Sequence, residues 1–233
     1  MCFSAGASFG ASAVLGVIGV VAIAKAKTTP RRLFATIPFL FSVQQLAEGM
    51  LWLSLKNPAL EAGQPFFTYT FLVFAMMIWP IWIPFTILLL EKDARRKKIM
   101  NVFLSIGVLV SVGVACVLLL YRVQVIPAHH HLHYRVDFPS AIKNLMGLFT
   151  LLYFMVTVVT PFISGIKRMK LLGFIFLASY LFAVIFYDGF VVSVWCYFAA
   201  ILSIVVLWIL SGLRKSVSQV FISQIPSPAN VFK

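Results

Sequence analysis

A carboxyl group and two amides lie within an otherwise apolar stretch of the chain, residues 33–55. Glu48 follows Gln44 by four residues and Gln45 by three, so a helix would place all three side chains along one strip. An ionisable group inside a membrane helix costs at least ~2.5 kcal/mol, and it is therefore expected to face the protein interior beside a partner. Two interpretations stay open: a ligand, proton or metal site, or a protonated Glu48 that hydrogen-bonds between helices.

All four histidines lie in one loop, 122–144, in the sequence His129-His130-His131-Leu132-His133. The alternation of polar and apolar residues around them predicts a short β-hairpin that covers the helices as a lid. A strand would place His131 and His133 on one face, whereas a helix would pair His129 with His133. Either arrangement offers two imidazoles to zinc or copper. The alternative is a solvated loop that binds metal only adventitiously.

The composition shows which kind of protein must position these groups. Of the 233 residues, 62% are hydrophobic and 11% are charged, whereas soluble domains average about 45–50% and about 25%. One water-soluble core cannot bury so much apolar surface, so we expect an integral membrane protein in contact with the lipid bilayer. The basic clusters adjoin apolar segments and lack interleaved stacking aromatics, so we expect no nucleic-acid partner. The sequence does not specify an oligomeric state.

Uncharged runs long enough to cross a bilayer predict an all-α bundle of seven transmembrane helices. The expected spans are 5–24, 33–55, 66–90, 99–121, 145–166, 171–187 and 190–210. They form one membrane domain, 1–215, followed by a cytoplasmic tail, 216–233. Prolines inside the spans, including Pro80, Pro84 and Pro161, predict bends. In the first span Ser8, Ser12 and Gly16 form a small-residue face that allows close helix packing.

The distribution of positive charge predicts the orientation, because Lys and Arg beside a span remain on the cytoplasmic side. Of the 19 Lys and Arg residues, only Lys56, Arg122, Arg135 and Lys143 fall in loops on the other side of the seven-span arrangement. The amino terminus is therefore expected outside and the carboxyl terminus in the cytoplasm. The net charge of +13 then mostly reflects topology, with attraction to anionic lipids as a secondary effect.

This orientation would bring further reactive groups to the outer half of the membrane, where Glu48 lies. Cys2 and Asp188 fall at outer positions, and Cys116 and Cys196 lie near the outer ends of their spans. Removal of Met1 would leave an amino group and a thiol together on Cys2, a pair that can chelate a soft metal. We therefore predict an outward-facing polar pocket formed by Gln44, Gln45, Glu48, Asp188 and Cys2.

Two segments resemble an uncharacterised family of bacterial multi-pass membrane proteins. They are Met1-Cys2-Phe3-Ser4-Ala5 at the terminus and Gln44-Gln45-Leu46-Ala47-Glu48-Gly49-Met50-Leu51-Trp52 in the second span. The resemblance implies a bacterial inner-membrane protein and points to Cys2, Gln44, Gln45 and Glu48. It implies no activity.

The expected function is to bind a metal or a small ligand without catalysis, as a sensor, carrier subunit or assembly factor. Two alternatives stay open: a membrane-embedded metal-dependent enzyme that uses His131, His133 and an acidic partner, or a proton-coupled transporter. The sequence lacks the HExxH, GxSxG, GxGxxG, paired CxxC and P-loop patterns, so no catalytic motif supports the enzyme.

Overall fold

The structure is a computed structural model that describes residues 4–128, 131–186, 191, 194–195, 198 and 202–212. Helices dominate it. In chain order they are α1 (Ala5–Lys25), α2 (Thr29–Ala35), α3 (Ile37–Ser54), α4 (Gln64–Leu72), α5 (Trp79–Leu90), α6 (Ala94–Leu120), α7 (Ser140–Phe154), α8 (Thr160–Ile163), α9 (Met169–Phe186) and α10 (Leu202–Gly212). A 3₁₀ turn (Pro58–Gly63) precedes α4, and π-helical turns (Val73–Ile78 and Met155–Val159) join α4 to α5 and α7 to α8. Strands β1 (Val123–Ala128) and β2 (His131–Val136) follow α6.

Within this described part of the chain, five helical segments are long and apolar enough to cross a membrane. They are α1, the continuous helix Pro58–Leu90, α6, the continuous helix Ser140–Ile163, and α9. These segments indicate a membrane protein. Two of the seven predicted spans are not among these five. The second predicted span, 33–55, corresponds to α3, which is 18 residues long and is made less apolar by its polar strip. The seventh is described only in part, mainly by α10, and the tail predicted at 216–233 lies outside the described residues.

The loops rich in Lys and Arg meet at one end of the bundle, which we call the basic end. Glu91, after α5, bonds to Gly165 in the turn before α9, and Arg168 in that same turn donates to the Trp208 carbonyl of α10. Ala22 of α1 and Ala26, which follows the helix, belong to a cluster with apolar residues of α10. The two strands lie at the opposite end, the hairpin end, where Leu132 of β2 packs with Leu51 and Trp52 of α3.

The small residues of α1 let it lie directly against α3. The hydroxyls of Ser12 and Ser42 each donate to the other residue's carbonyl oxygen, at 2.9 and 2.7 Å. A Cβ atom at Gly19 would lie 2.6 Å from the backbone nitrogen of Phe39. The small face predicted from Ser8, Ser12 and Gly16 is therefore a packing face inside this chain.

In two of the spans, a proline follows a π-helical turn. In such a turn a carbonyl accepts from the residue five positions later, and proline has no N–H to donate. Pro80 and Pro161 thus leave the carbonyls of Ala75 and Val156 without backbone donors. Hydroxyls replace them: Tyr153 Oη donates to Ala75 O at 2.8 Å, and Thr160 Oγ1 donates to Val156 O at 2.6 Å.

Candidate functional site

The three side chains of the predicted polar strip are buried together in the bundle. Gln44 and Glu48 are fully buried and Gln45 nearly so. Gln45 Nε2 donates to Glu48 Oε2 at 3.4 Å, within the strip. A partner from another helix is Trp79 of α5, whose Nε1 donates to Gln44 Oε1 at 2.7 Å. The strip is therefore part of the contact between α3 and α5, and a ligand role for Glu48 stays a prediction.

The predicted hairpin is present. Strands β1 and β2 pair antiparallel, with Ala128 opposite His131 and Val123 opposite Val136. Leu132 is buried, and the Tyr134 ring stacks on Phe71 of α4 with 5.0 Å between ring centroids. The apolar face of β2 thus rests on the helices, as the alternation predicts.

The metal-binding prediction depends partly on residues outside the described ones. His131 and His133 lie on β2 and are half-buried, whereas His129, Cys2, Asp188 and Cys196 are not described. Among the residues that the structure describes, no three His, Cys, Asp or Glu side chains are grouped closely enough to hold an ion. Cys116 is an exposed free thiol on α6. Zinc or copper binding stays a prediction that these contacts do not decide.

A cavity of about 490 Å³ lies between α5, α6, α7 and α9, and β2 crosses one end of it. This volume is within the range of about 300–1,000 Å³ that is typical of small-molecule sites. Sequence reasoning missed the cavity because its walls are ordinary apolar residues from distant segments. One signal was available: Met146, Phe149, Thr150 and Tyr153 recur at helical spacing on α7, and all four line the cavity.

α7 is packed unlike the other long helices. None of its residues is buried, whereas α1, α3, α6 and α9 each have at least five that are. Its inward stripe lines the cavity and is only partly packed against the neighbouring helices. The cavity therefore takes the position of a packing partner for α7.

Trp79 connects the cavity to the polar strip. Its ring lines the cavity and stacks on Phe41, with 3.9 Å between ring centroids, while its indole N–H bonds to Gln44 behind it. Gln44 and Glu48 do not themselves line the cavity wall that the structure describes. A change in the conformation of the polar strip can therefore alter the shape of the cavity by moving the Trp79 ring.

The comparison with known families covers nearly the whole chain. The model described as "Family of unknown function (DUF6629)" matches residues 1–220. The chain belongs to this family. No curated protein and no solved structure matches the chain. The description of the DUF6629 family names no activity.

This DUF6629 protein also has a buried carboxylate that sequence reasoning missed, at the basic end. Both oxygens of Glu91 accept hydrogen bonds: Oε1 from the amides of Lys92 and Asp93 at 2.9 and 3.2 Å, and Oε2 from the Gly165 amide and the Ser164 hydroxyl at 2.6 and 3.2 Å. Burial raises the pKa of Glu91, but these hydrogen bonds outweigh it and the net pKa lies below the ordinary value of 4.5. Glu91 fastens the α5–α6 turn to the turn before α9.

Proposed function

We propose that this DUF6629 protein is a bacterial inner-membrane protein that binds a small ligand without catalysis, as a sensor, carrier subunit or assembly factor. The ligand site is the cavity beneath the hairpin. The observation that carries the proposal is the combination of the cavity's volume with the unburied α7 stripe that lines it. A helix whose inner face is only partly packed against other helices gains stability when a ligand fills the remaining space.

The proposal includes seven spans, with the amino terminus outside. Two contacts support it: Glu91 bonds to Gly165, which joins two turns assigned to the cytoplasmic side, and Arg168 bonds to Trp208 near the expected cytoplasmic end of the seventh span. The burial of Glu48 also supports α3 as a span, because a carboxyl group at membrane depth must be shielded from lipid by neighbouring helices.

Reporter fusions test the orientation. A reporter fused after Lys233 is expected to be active in the cytoplasm, and one inserted after Ala128 is expected to be active outside. An external carboxyl terminus would overturn the arrangement, and the hairpin would then face the cytoplasm.

Extraction of bound small molecules tests the cavity. The full chain is purified in mild detergent, and the molecules that remain bound are extracted and quantified by mass spectrometry. We expect one in near-stoichiometric amount, and we expect Thr150→Trp, which fills the cavity, to reduce it at least tenfold. The matched control is Leu148→Trp, on the same helix at an exposed position away from the cavity. Equal amounts in both variants would overturn the assignment of the site.

A further inference from the structure

The cavity wall is less polar than its residue types suggest. Five wall residues with side-chain donors direct those donors to protein acceptors. The bonds run from Trp79 Nε1 to Gln44 Oε1 (2.7 Å), from Tyr153 Oη to Ala75 O (2.8 Å), from Thr150 Oγ1 to Met146 O (2.9 Å), from Thr157 Oγ1 to Tyr153 O (2.8 Å), and from Trp195 Nε1 to Ser179 Oγ (2.9 Å). A molecule lying along this wall therefore meets mainly hydrocarbon and aromatic surface.

Among the described residues that line the cavity, the side chains with polar nitrogen donors that are charged or can become so lie at the end that β2 crosses. His133 and Arg135, two residues apart on β2, both contribute to the lining there. Arg135 Nε lies 3.1 Å from Asp137 Oδ1, and the two side chains are 62% and 44% exposed. Exposed ion pairs contribute at most ~1 kcal/mol, so the guanidinium can exchange this partner for another anion. The cavity thus has an apolar body and an end that carries the Arg135 guanidinium and the His133 imidazole.

We propose that the ligand is a single-chain amphiphile with an anionic head group, a carboxylate or a phosphate. The chain lies along the wall formed by residues such as Phe149 and Trp79, and the head lies against His133 and Arg135. The planar guanidinium suits either head, because it offers parallel N–H donors to two oxygens. The hairpin end is also where the head of a membrane amphiphile would meet water. This inference rests on the proposed function and adds the chemical class of the ligand.

Tryptophan fluorescence provides the test, because Trp79 and Trp195 line the cavity. The probe is 9,10-dibromostearic acid, whose bromine atoms quench nearby indoles, added to the full chain in detergent micelles. We expect saturable quenching that stearic acid competes away. Either Trp79→Phe or Trp195→Phe should reduce the saturable fraction, whereas Trp82→Phe, on α5 but outside the cavity lining, should retain it.

The head group is tested by charge. The methyl ester of the probe is expected to bind at least tenfold more weakly than the acid. The double variant His133→Gln/Arg135→Gln should weaken binding of the acid by a similar factor and leave binding of the ester unchanged. The matched control Arg122→Gln should change the affinity for neither. Octadecyl phosphate and stearic acid are then compared as competitors of the bound probe. The stronger competitor identifies the head group as a phosphate or a carboxylate, and either result supports an anionic head.

Failure of this inference differs from failure of the proposed function. Saturable quenching with equal affinity for acid and ester would overturn the anionic head and leave a small-ligand site. Absence of saturable quenching, together with a co-purifying molecule that Thr150→Trp removes, would overturn the amphiphile class alone. Absence of both would overturn the site itself.

Discussion

The Tyr153 hydroxyl donates a hydrogen bond of 2.8 Å to the carbonyl oxygen of Ala75, and both residues line the cavity. Pro80 explains why this carbonyl needs a side-chain donor, because it lies five residues later and has no N–H. The bond joins α7, a helix with no buried residues, to the π-helical turn before α5. It therefore helps to hold the thinly packed side of the cavity in position.

Tyr153→Phe is expected to destabilise the protein. Hydrogen bonds between membrane helices contribute about 0.6 kcal/mol on average and about 1.7 kcal/mol at most. We expect a value near the upper limit, since Ala75 is buried and its carbonyl would lose this donor. Unfolding in mixed micelles measures the change. Tyr69→Phe is the control, because the Tyr69 hydroxyl has no hydrogen-bond partner among the described residues, and equal losses in the two variants would contradict the prediction.

Gln44→Leu is expected to lower the free energy of unfolding by about 1–3 kcal/mol, because it leaves the buried Trp79 N–H without its acceptor. Trp79→Phe removes the donor as well. The double variant should therefore lose less stability than the sum of the losses in the two single variants. A double-mutant cycle measures this difference. Strict additivity would show that the bond contributes nothing to stability.

Glu48→Gln is expected to fold normally, because an amide oxygen can accept the hydrogen bond that Gln45 donates. Glu48→Ala removes that acceptor and leaves a cavity, so it should reduce the yield of folded protein. Fluorescence-detected size-exclusion chromatography compares the two. If Glu48→Gln aggregates as Glu48→Ala does, the carboxyl group itself is required for folding.

Glu91 predicts a pH dependence of stability at the basic end. Its folded pKa is depressed, so its contribution is complete above about pH 4.5, the unfolded value, and is lost as the pH falls through the lower folded value. Glu91→Gln places an amide donor against backbone or hydroxyl donors, and should cost about 1.5–3 kcal/mol at neutral pH. It should also flatten the acid side of a melting-temperature profile. Glu61→Gln, at an exposed position, should leave that profile unchanged.

Gly107 is expected to tolerate no side chain. A Cβ atom there would collide with the Pro80 carbonyl oxygen. This carbonyl has no backbone donor four residues later, because residue 84 is a proline without an N–H. Gly107→Ala should force α5 and α6 apart and lower stability by about 1–3 kcal/mol. Gly147→Ala on α7 is the matched control: no atom lies within 4 Å of the added carbon, and alanine favours the helix. Thermal unfolding in detergent compares them, and similar melting temperatures would refute the close contact.

The sequence by itself determined the features that depend on local pattern. Apolar run length predicted a membrane-embedded helical protein, and alternation from Leu132 to Phe138 predicted the hairpin and the face that it buries. The spacing of Gln44, Gln45 and Glu48 predicted one strip. These features follow from helix and strand periodicity within a single segment, so no distant contact was needed to find them.

The tertiary structure alone decided which distant residues meet. Trp79 bonds to Gln44 across 35 positions, Tyr153 to Ala75 across 78, and Gly165 to Glu91 across 74. The cavity depends on such long-range contacts, because it is the volume left between packed helices. Most residues of its wall, taken alone, are ordinary apolar residues of a helix. Periodicity shows which face of a helix is turned inward, but the neighbour opposite that face is set by how all the helices pack together.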